Sequence, residues 1–300
     1  MKIALGPLLY YWPRETMAAF YREIAGTPVD IVYLGETVCS RRHNFRFADW
    51  LETARMLREA GKEVVLSSQV LIESESDLKT LRAIAANGEF MVEANEMGAV
   101  NLLAGEARFV AGAHLNIFNS HALQALSRLG AMRWVAPVET SAALLEPICA
   151  SRPEGMQSEV FAFGRMPLAF SARCFTARAH NLPKDDCQFR CMEYPDGLTM
   201  NTREEESFLT LNGIQTQSWR TCNLLTELDS LRAFGVDVLR ISPQSRATPE
   251  VIALFRDAVD GRMSVSVASR RLAELALSPA CNGYWHEKPG MAQIAGAVTA

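Results

Sequence analysis

Short apolar segments alternate with amphipathic ones along most of this chain, and this alternation limits its fold more than any other feature. The apolar segments have the length of β-strands, and most of the intervening ones have the period of an α-helix. Eight strands are predicted, at 2–5, 31–34, 63–67, 90–92, 109–111, 134–136, 160–163 and 236–241. The clearest helices are predicted at 13–24, 47–59, 76–86 and 249–258. Eight strands with intervening helices predict an α/β fold, a (β/α)₈ TIM-like barrel.

The alternative fold is an open, doubly wound sheet. The chain has neither a Gly-x-Gly-x-x-Gly sequence after the first strand nor a Walker A sequence, which disfavours a nucleotide-binding sheet of that kind. The connections shorten in the middle of the chain, so the barrel is expected to be irregular there. We predict one domain, 1–300, with the barrel in 1–262. The barrel region includes an insertion at 170–223 after the seventh strand. A C-terminal helix and tail form an extension at 263–300.

Composition favours a globular protein that has no membrane span and does not bind nucleic acids. The chain has 300 residues, of which 49% are hydrophobic and 21% charged, and this is enough apolar material for a large core. A net charge of −4 gives no electrostatic reason to expect nucleic-acid binding. No apolar run is long enough for a membrane span, and the first residues lack the features of a signal peptide. We therefore expect a cytoplasmic protein whose seven cysteines stay reduced.

Four of the cysteines lie in polar segments that also contain arginine. Cys174, Cys187 and Cys191 fall within the insertion, and Cys39 follows the second strand. A nearby positive charge stabilises a thiolate, which is the form that binds metal. Cys39 and Cys174 follow the carboxyl ends of strands, where barrel active sites are built, and the insertion can carry the other two across that opening. We expect the four thiols to meet.

Four thiols of this spacing favour an iron–sulfur cluster over zinc. A [4Fe–4S] cluster needs four anionic ligands and tolerates irregular spacing, whereas structural zinc prefers short cysteine pairs. Zinc remains the alternative. A Cys-x₃-Cys-x₂-Cys motif is absent because Tyr194 occupies its third position. The competing explanation for any cysteine is burial in the core, and we prefer it for Cys149, Cys222 and Cys281.

Other polar residues are candidates for substrate contacts or for supporting the thiols, although no catalytic residue is assigned. They are Arg41, Arg42, Glu93, Asn95, His114, Asn116, Arg165 and Arg173. His114 titrates near neutral pH and is a candidate for proton transfer, but an ordered loop histidine is the alternative. The arginines suit an anionic substrate such as a dicarboxylate, or they balance the charge of a cluster. For Arg173, which adjoins Cys174, we prefer the second role.

The segment 159–174 resembles the signature of the so-called peptidase U32 family. The matching positions are Glu159, Phe161, Gly164 and Cys174. Pro167 replaces the first signature cysteine and Ala172 replaces a glycine, so one cluster ligand of the general family is missing at its usual place. In this comparison Cys39 takes its place.

Further segments are similar to the branch of this family that acts in anaerobic ubiquinone biosynthesis. They are 39–45, 92–100, 187–191 and 281–286. This resemblance implies a [4Fe–4S] cluster on Cys39, Cys174, Cys187 and Cys191. It also implies a heterodimer with the sister protein UbiU, and a lipid-binding accessory protein that presents the ubiquinone precursor. The chain would then be the iron–sulfur subunit of an O₂-independent hydroxylation system with prephenate as oxygen donor.

Two other functions stay open at this point. One is a non-catalytic zinc or iron–sulfur scaffold that binds a partner, and the other is an electron-relay protein that leaves the chemistry to its partner. Peptidase activity is disfavoured, because a hydrolase needs an activated nucleophile or a metal-bound water. The chain contains neither Gly-x-Ser-x-Gly nor His-Glu-x-x-His, and none of its five histidines is paired with an evident nucleophile.

Overall fold

The structure, a computed structural model, describes residues 1–294. Its strands are β1 (Lys2–Leu5), β2 (Ile31–Leu34), β3 (Glu63–Ser67), β4 (Met91–Ala94), β5 (Phe109–Ala111), β6 (Ala131–Val135), β7 (Gln157–Phe170), β8 (Leu198–Asn201), β9 (Ser207–Asn212), β10 (Gln215–Asn223), β11 (Val238–Ile241) and β12 (Ala280–Cys281). Its α-helices are α1 (Arg14–Ala25), α2 (Phe47–Glu59), α3 (Glu75–Ala85), α4 (Met97–Leu103), α5 (Ser120–Arg128), α6 (Ala142–Ala150), α7 (Phe175–Ala179), α8 (Leu228–Ala233), α9 (Thr248–Val259) and α10 (Val265–Leu275). None of these helices combines the length and apolar character that a bilayer span requires.

Eight parallel strands close into a barrel. Strands β1 to β7 pair in chain order, and β11 pairs with both β7 and β1, so no edge remains between the first and the last strand. A helix follows each of the first six strands, and α9 follows β11. The predicted (β/α)₈ barrel is confirmed. An open doubly wound sheet is wrong, because its outer strands would not pair with each other.

The local periodicity predicts most of the barrel strands well, but it predicts β7 too short. The apolar run at 160–163 is only the middle of a strand of 14 residues. The outer half of β7 leaves the barrel and pairs antiparallel with β10, and Pro167 opposes Gln217 where the register shifts. A proline donates no ladder hydrogen bond and is therefore tolerated at such an irregularity. The outer half of β7 is therefore a strand because it pairs with β10, and not because its own residues have an apolar pattern.

The insertion after β7 adds a small antiparallel sheet to the rim of the barrel. β10 pairs with β9, and β9 pairs with β8. The short strand β12 lies parallel to β10, with Cys222 opposite Cys281, and it attaches the C-terminal extension to the same sheet. The helix predicted in that extension is α10. Residues 295–300 of the predicted extension lie outside the described residues.

Side chains alternate between two apolar layers along the barrel strands. On β2, Val32 and Leu34 pack outward in the layer beneath the helices, whereas Ile31 and Tyr33 point into the barrel. The inner apolar layer consists of Ala4, Ile31, Tyr33, Val65, Val110, Val135 and Val238. Both layers are nearly free of solvent contact. Polar side chains inside the barrel therefore need partners from other strands.

The inside of the barrel also holds a buried network of charged side chains. Arg240 on β11 donates from Nε to Glu159 on β7 at 2.5 Å, and its Nη2 lies 2.8 Å from a carboxylate oxygen of Glu93 on β4. Tyr33 donates to the other oxygen of Glu159 at 2.6 Å. The Arg240 guanidinium stacks over the Tyr33 ring, with its central carbon 4.0 Å from the ring centre. Arg133 on β6 donates to Tyr33 at 3.1 Å. The network thus joins five strands across the barrel.

Burial makes each member of this network depend on the others. Glu159 has no exposed surface and Glu93 almost none. Burial alone would lower the pKa of Arg240, but the charges of Glu159 and Glu93 outweigh this effect and raise the pKa. A charge left unpaired in such a place costs several kcal/mol. The barrel is therefore most sensitive at Arg240, which faces both carboxylates.

Replacement of this arginine should strongly destabilise the fold. We expect Arg240→Met to lower the free energy of unfolding by about 3–5 kcal/mol, because Glu159 and Glu93 lose their buried counter-charge. Urea unfolding followed by circular dichroism measures the change. Arg82→Met, which breaks the exposed ion pair with Glu75 on α3, is the control and should change stability by less than about 1 kcal/mol. Equal losses in the two variants would contradict the importance of the barrel network.

Candidate functional site

The loop that carries Cys39 is held in place by Glu36. After β2 the chain turns at Gly35, whose φ is +140° and where a Cβ atom would lie 2.5 Å from the carbonyl oxygen of Ser67, so only glycine fits. The carboxylate of Glu36 then accepts the backbone N–H groups of Val38 and Cys39, each at 3.0 Å. Cys39 is thereby fixed at the carboxyl end of the barrel, as the sequence predicts.

Cys39 and Cys174 lie on the same small apolar cluster. Both pack against Leu9, Val38 and Ile214, which are all buried. Cys174 begins α7, and its sulfur accepts the N–H of Ala177 at 3.4 Å. Burial raises the pKa of the Cys39 thiol to about 11; the nearby charge of Arg42 counteracts this rise, and that of Cys174 adds to it. These two cysteines, 135 positions apart in the sequence, therefore share one packing site at the rim of the barrel.

Arg42 is a buried cation beside the thiols. Its guanidinium donates to the carbonyl oxygen of Leu9 at 2.7 Å and to Oδ1 of Asn212 at 2.8 Å, and it lies 3.6 Å from Glu36. Burial raises the pKa of Cys191, and Arg42 opposes that rise by charge and by contact with the sulfur. Asn212 belongs to β9, so Arg42 connects the Cys39 loop, Cys191 and the inserted sheet. It is the charged group that Cys39 and Cys191 share.

The turn between Cys187 and Cys191 has a strained backbone. Gln188 and Phe189 are both left-handed, with φ of 49° and 51°, although neither is glycine. Such residues cost about 1–3 kcal/mol each and persist only where the surroundings impose them. Here Arg41 donates to the carbonyl oxygen of Asp185 at 2.6 Å, just before the turn, and so ties it to the Cys39 loop. Both cysteines of the turn are partly buried.

The four cysteines suit a cluster in number and in chemistry. The charge of Cys174 raises the pKa of Cys39 and of Cys191, in addition to the effect of burial, and Cys187 lies on the turn that also carries Cys191. Within residues 1–294, no three His, Cys, Asp or Glu side chains are arranged to hold a metal ion. The thiolates of a four-iron cluster bind different irons and therefore stand further apart than the ligands of one ion. Four thiols match the number and the type of ligands that a [4Fe–4S] cluster requires.

A small cavity lies at the mouth of the barrel, next to the thiols. Its volume is about 40 Å³, room for one or a few water molecules. Its polar lining consists of Thr37, Glu93, Asn95, His114, Arg240 and Ser242. Pro167 lines the same cavity together with Leu9 and Thr37. Since Thr37 belongs to the Cys39 loop, that loop runs close to Pro167.

The polar groups at the mouth are held by their neighbours. Asn95 donates to the carbonyl oxygen of Ser68 at 2.9 Å, and Ser67 donates to Glu93 at 2.7 Å. Burial lowers the pKa of His114 to about 4, so its ring is neutral at pH 7. A neutral histidine can donate one hydrogen bond to a bound molecule and accept another from it, but it carries no charge that would attract an anion.

The remaining predicted residues lie away from this cavity. Asn116 ends a short helical turn in a left-handed conformation and is exposed. Arg165 is buried and donates to the carbonyl oxygen of Asp196 in the insertion. Arg173 is exposed beside Cys174. Arg41 and Arg42 support the loops around the thiols, so two of the four arginines are part of the site itself.

The sequence does not indicate that three further residues, Arg240, Glu159 and Thr37, belong to the site. Arg240 and Glu159 face each other inside the barrel, and Thr37 lines the mouth with a hydroxyl group that is buried without a partner among the described residues. A signal exists for the first two: Arg240 is a charged residue inside an otherwise apolar strand, and Glu159 directly precedes the apolar run at 160–163. Such a residue must find a buried counter-charge. The sequence does not say which one.

Comparison with known proteins gives one family. The pattern described as Peptidase family U32 matches residues 15–294. Among solved structures, the U32 peptidase Mk0906 is 11% identical with a TM-score of 0.45, covering 81% of this chain and 93% of that one. A dihydrodipicolinate synthase from Agrobacterium tumefaciens str. C58 is 12% identical with a TM-score of 0.37, covering 90% and 78% of the two chains. Both likenesses are too distant to carry an argument about function.

Acid should destabilise the protein through His114. Its pKa is about 6.5 unfolded and about 4 folded, so its contribution to stability is present above pH 6.5 and is lost as the pH falls towards 4. We expect the difference in unfolding free energy between the wild type and His114→Gln to shift by up to about 3 kcal/mol over that range. Urea unfolding at a series of pH values measures it. His121→Gln, at an exposed histidine, is the control, and a pH-independent difference for His114→Gln would contradict the burial argument.

Proposed function

This chain belongs to peptidase family U32, and on that premise we propose that it is the iron–sulfur subunit of an O₂-independent hydroxylation system in ubiquinone biosynthesis, similar to UbiV. The observation that supports this proposal is the convergence of three thiols: Cys39 and Cys174 pack on one apolar cluster, and the buried Arg42 lies near Cys39 and Cys191. The barrel does not need these thiols for its closure, since they lie on loops and on the insertion. Half-buried thiols on such segments are suited to binding.

The proposed cofactor is a [4Fe–4S] cluster held by Cys39, Cys174, Cys187 and Cys191. Bound there, it would supply one-electron transfer. With four thiolate ligands every iron is saturated, so a substrate would find no open coordination position. Arg42 balances the negative charge of the thiolates from within the protein, and Arg41 holds the turn that carries two of the ligands.

The strained turn fits this proposal. Two consecutive left-handed residues between Cys187 and Cys191 cost free energy that the apolar contact of Phe189 with Tyr11, 5.6 Å between ring centres, offsets only in part. Strain of this kind is concentrated at binding sites and active sites. Here it would serve to hold Cys187 and Cys191 towards a shared group. In this interpretation the bound cluster stabilises the turn.

We propose that this chain passes electrons and that its partner binds the oxygen donor. Prephenate, the expected donor, is a dicarboxylate, but the barrel mouth offers it little space and no net positive charge. The cavity there measures about 40 Å³, and Arg240 is already neutralised by Glu159 and Glu93. His114 is neutral as well. A dicarboxylate would therefore bind poorly without rearrangement of the mouth.

The proposed partner is the sister protein UbiU, together with a lipid-binding accessory protein that presents the ubiquinone precursor. Among residues 1–294, three of the six exposed large apolar side chains belong to the insertion, namely Phe189, Met200 and Phe208. Met200 and Phe208 lie on the outer strands β8 and β9, where β8 is the edge of the inserted sheet. An exposed strand edge with apolar side chains is a typical docking surface for another chain. We place the heterodimer interface there.

The cytoplasm is the proposed location. All seven cysteines are free thiols, and none is paired in a disulfide, although Cys222 and Cys281 lie opposite each other on neighbouring strands. Free thiols in this number are typical of a reducing compartment. An oxygen-sensitive cluster would also be protected there.

Two other functions remain to be separated by experiment. A zinc or iron–sulfur scaffold would use the same thiols without passing electrons, and the loss of iron would then leave function intact if zinc takes its place. Peptidase activity, which the family name suggests, finds no support at the barrel mouth. No serine, cysteine or threonine there makes a hydrogen bond to His114 within the described residues.

Replacement of any one ligand should remove the cluster. We expect protein purified without oxygen to contain about four irons and four acid-labile sulfides per chain and to be bleached by dithionite. Cys39→Ala should lose as much iron as Cys187→Ala despite their separation in sequence. Cys149→Ala, at a buried core thiol, is the matched control and should keep all of it. Stoichiometric zinc without sulfide, or full iron in Cys39→Ala, would contradict the proposed site.

The heterodimer should depend on the apolar edge of the insertion. We expect this chain to co-purify with UbiU in a 1:1 ratio when the two are expressed together. Phe208→Glu should weaken that association at least tenfold, since a charge would have to be buried in the interface. Leu129→Glu, at an exposed apolar residue after α5, is the control and should leave it unchanged. Association that survives Phe208→Glu would place the interface elsewhere.

A further inference from the structure

The loop that carries Cys39 also contains a buried ion pair. Nη1 of Arg42 lies 3.6 Å from Oε1 of Glu36, and the two side chains are 1% and 15% exposed. Charges that are so well shielded from water are screened little by solvent and salt, so they act strongly on their neighbours. The nearest such neighbours on the loop are the proposed cluster ligands. The pair therefore contributes to the electrostatic potential in which the thiols lie.

The guanidinium of Arg42 has one N–H group left over. Its Nη1 donates to the carbonyl oxygen of Leu9 and its Nη2 to Oδ1 of Asn212. Its Nε is buried and makes no hydrogen bond to another residue in 1–294, and the same guanidinium contacts the sulfur of Cys191. A buried donor without a partner costs about 1–3 kcal/mol. An anionic sulfur beside this N–H group would offset that cost.

The other two converging thiols take their donors from the main chain. The sulfur of Cys174 accepts the backbone N–H of Ala177 at 3.4 Å, and the backbone N–H of Arg41 serves the sulfur of Cys39. These donors are neutral peptide groups, whereas the donor at Cys191 carries a full positive charge. A hydrogen bond from a charged group is about twice as strong as one between neutral groups. Arg42 is therefore the donor with the largest effect on the thiols.

Glu36 acts on the same thiols in the opposite direction. Its charge raises the pKa of Cys39 and of Cys191, and the charge of Arg42 lowers both. A charge that favours a thiolate also favours the reduced form of a cluster, because reduction adds one negative charge to the group. Arg42 and Glu36 should therefore oppose each other in any reduction at this site.

We infer that Arg42 and Glu36 set the reduction potential of the proposed cluster. Arg42 raises the potential through its charge and through an N–H bond to the Cys191 sulfur, and Glu36 lowers it. Potentials of such clusters depend on the net charge and on hydrogen bonds to the sulfurs. Reduction takes one electron from an external donor such as dithionite, and Arg42 gives up no proton, since a guanidinium stays charged. The inference rests on the cluster of the proposed function and names the residues that adjust its driving force.

Redox titration of the full chain, purified without oxygen and followed by electron paramagnetic resonance, tests the inference. Glu36→Gln removes a charge but keeps Oε1, the atom that accepts the N–H groups of Val38 and Cys39, so the loop should keep its shape. In this variant the reduction equilibrium should shift about tenfold towards the reduced form, a rise of about 59 mV for one electron. Iron and sulfide should be unchanged.

Substitution of Arg42 in the same background isolates its effect. The double variant Glu36→Gln/Arg42→Gln leaves no buried charge unpaired, and its potential should lie at least about 59 mV below that of Glu36→Gln, a tenfold change in the equilibrium. Glu36→Gln/Arg42→Lys keeps the charge but loses the planar fork, so its potential should lie between those two. A role in folding alone would not produce this order of potentials.

Arg178→Gln is the matched control. Arg178 is exposed on α7, the helix that Cys174 begins, so its charge is screened by solvent and salt. Its replacement also removes one positive charge, but it should change the reduction equilibrium by less than about twofold. A shift in this variant as large as the one assigned to Arg42 would overturn the inference, because total charge and not the buried pair would then act.

Three other results would overturn the inference. They are an unchanged potential in Glu36→Gln, a further rise when Arg42→Gln is added, and a loss of iron from Glu36→Gln, which would show that the carboxylate charge builds the site. These results are distinct from a failure of the proposed function. Wild-type protein without iron and sulfide would contradict the cluster itself, whereas a full cluster with unshifted potentials would contradict only the role of the pair.

Discussion

The ion-pair network inside the barrel is the constraint on which the rest of the molecule depends. Arg240 joins β11 to β7 and β4 through two carboxylates, and Tyr33 and Arg133 extend the network to β2 and β6. These groups cannot be solvated, so their partners must be present at the correct positions when the barrel closes. The same network forms the floor of the barrel mouth. It therefore determines both the closure of the fold and the small, electrically balanced cavity above it.

A second buried cation organises the rim. Arg42 connects the Cys39 loop to the inserted sheet through Leu9 and Asn212, and it lies against the thiols of that region. The inserted sheet is itself held by the long strand β7, which begins in the barrel and ends outside it. The four proposed ligands thus come from elements that are rigidly connected to the barrel. A preorganised set of thiols of this kind suits a group whose charge changes while its surroundings stay fixed.

Three places in the molecule differ in size and lining. The proposed cluster ligands lie at the rim, the barrel mouth has space for water-sized molecules only, and a side cavity of about 440 Å³ lies between α2 and α3. The Cys39 loop borders all three: Cys39 is a proposed ligand, Thr37 lines the mouth, and Glu36 lines the side cavity. This loop therefore connects the proposed cluster ligand Cys39 with both cavities.

The sequence by itself determined the barrel and the four thiols as candidates, because periodicity and flanking charge are local properties. The helix at 47–59 and the strands at 31–34 and 63–67 have the boundaries that their residues predict. Only the tertiary structure decided the length of β7, the pairing of Arg240 with Glu159 and Glu93, the meeting of Cys39 with Cys174, and the cavity between α2 and α3. Each of these depends on a partner far away in the chain. The sequence indicates that a charged side chain in an apolar strand needs a buried partner. Only the folded chain shows which residue that partner is.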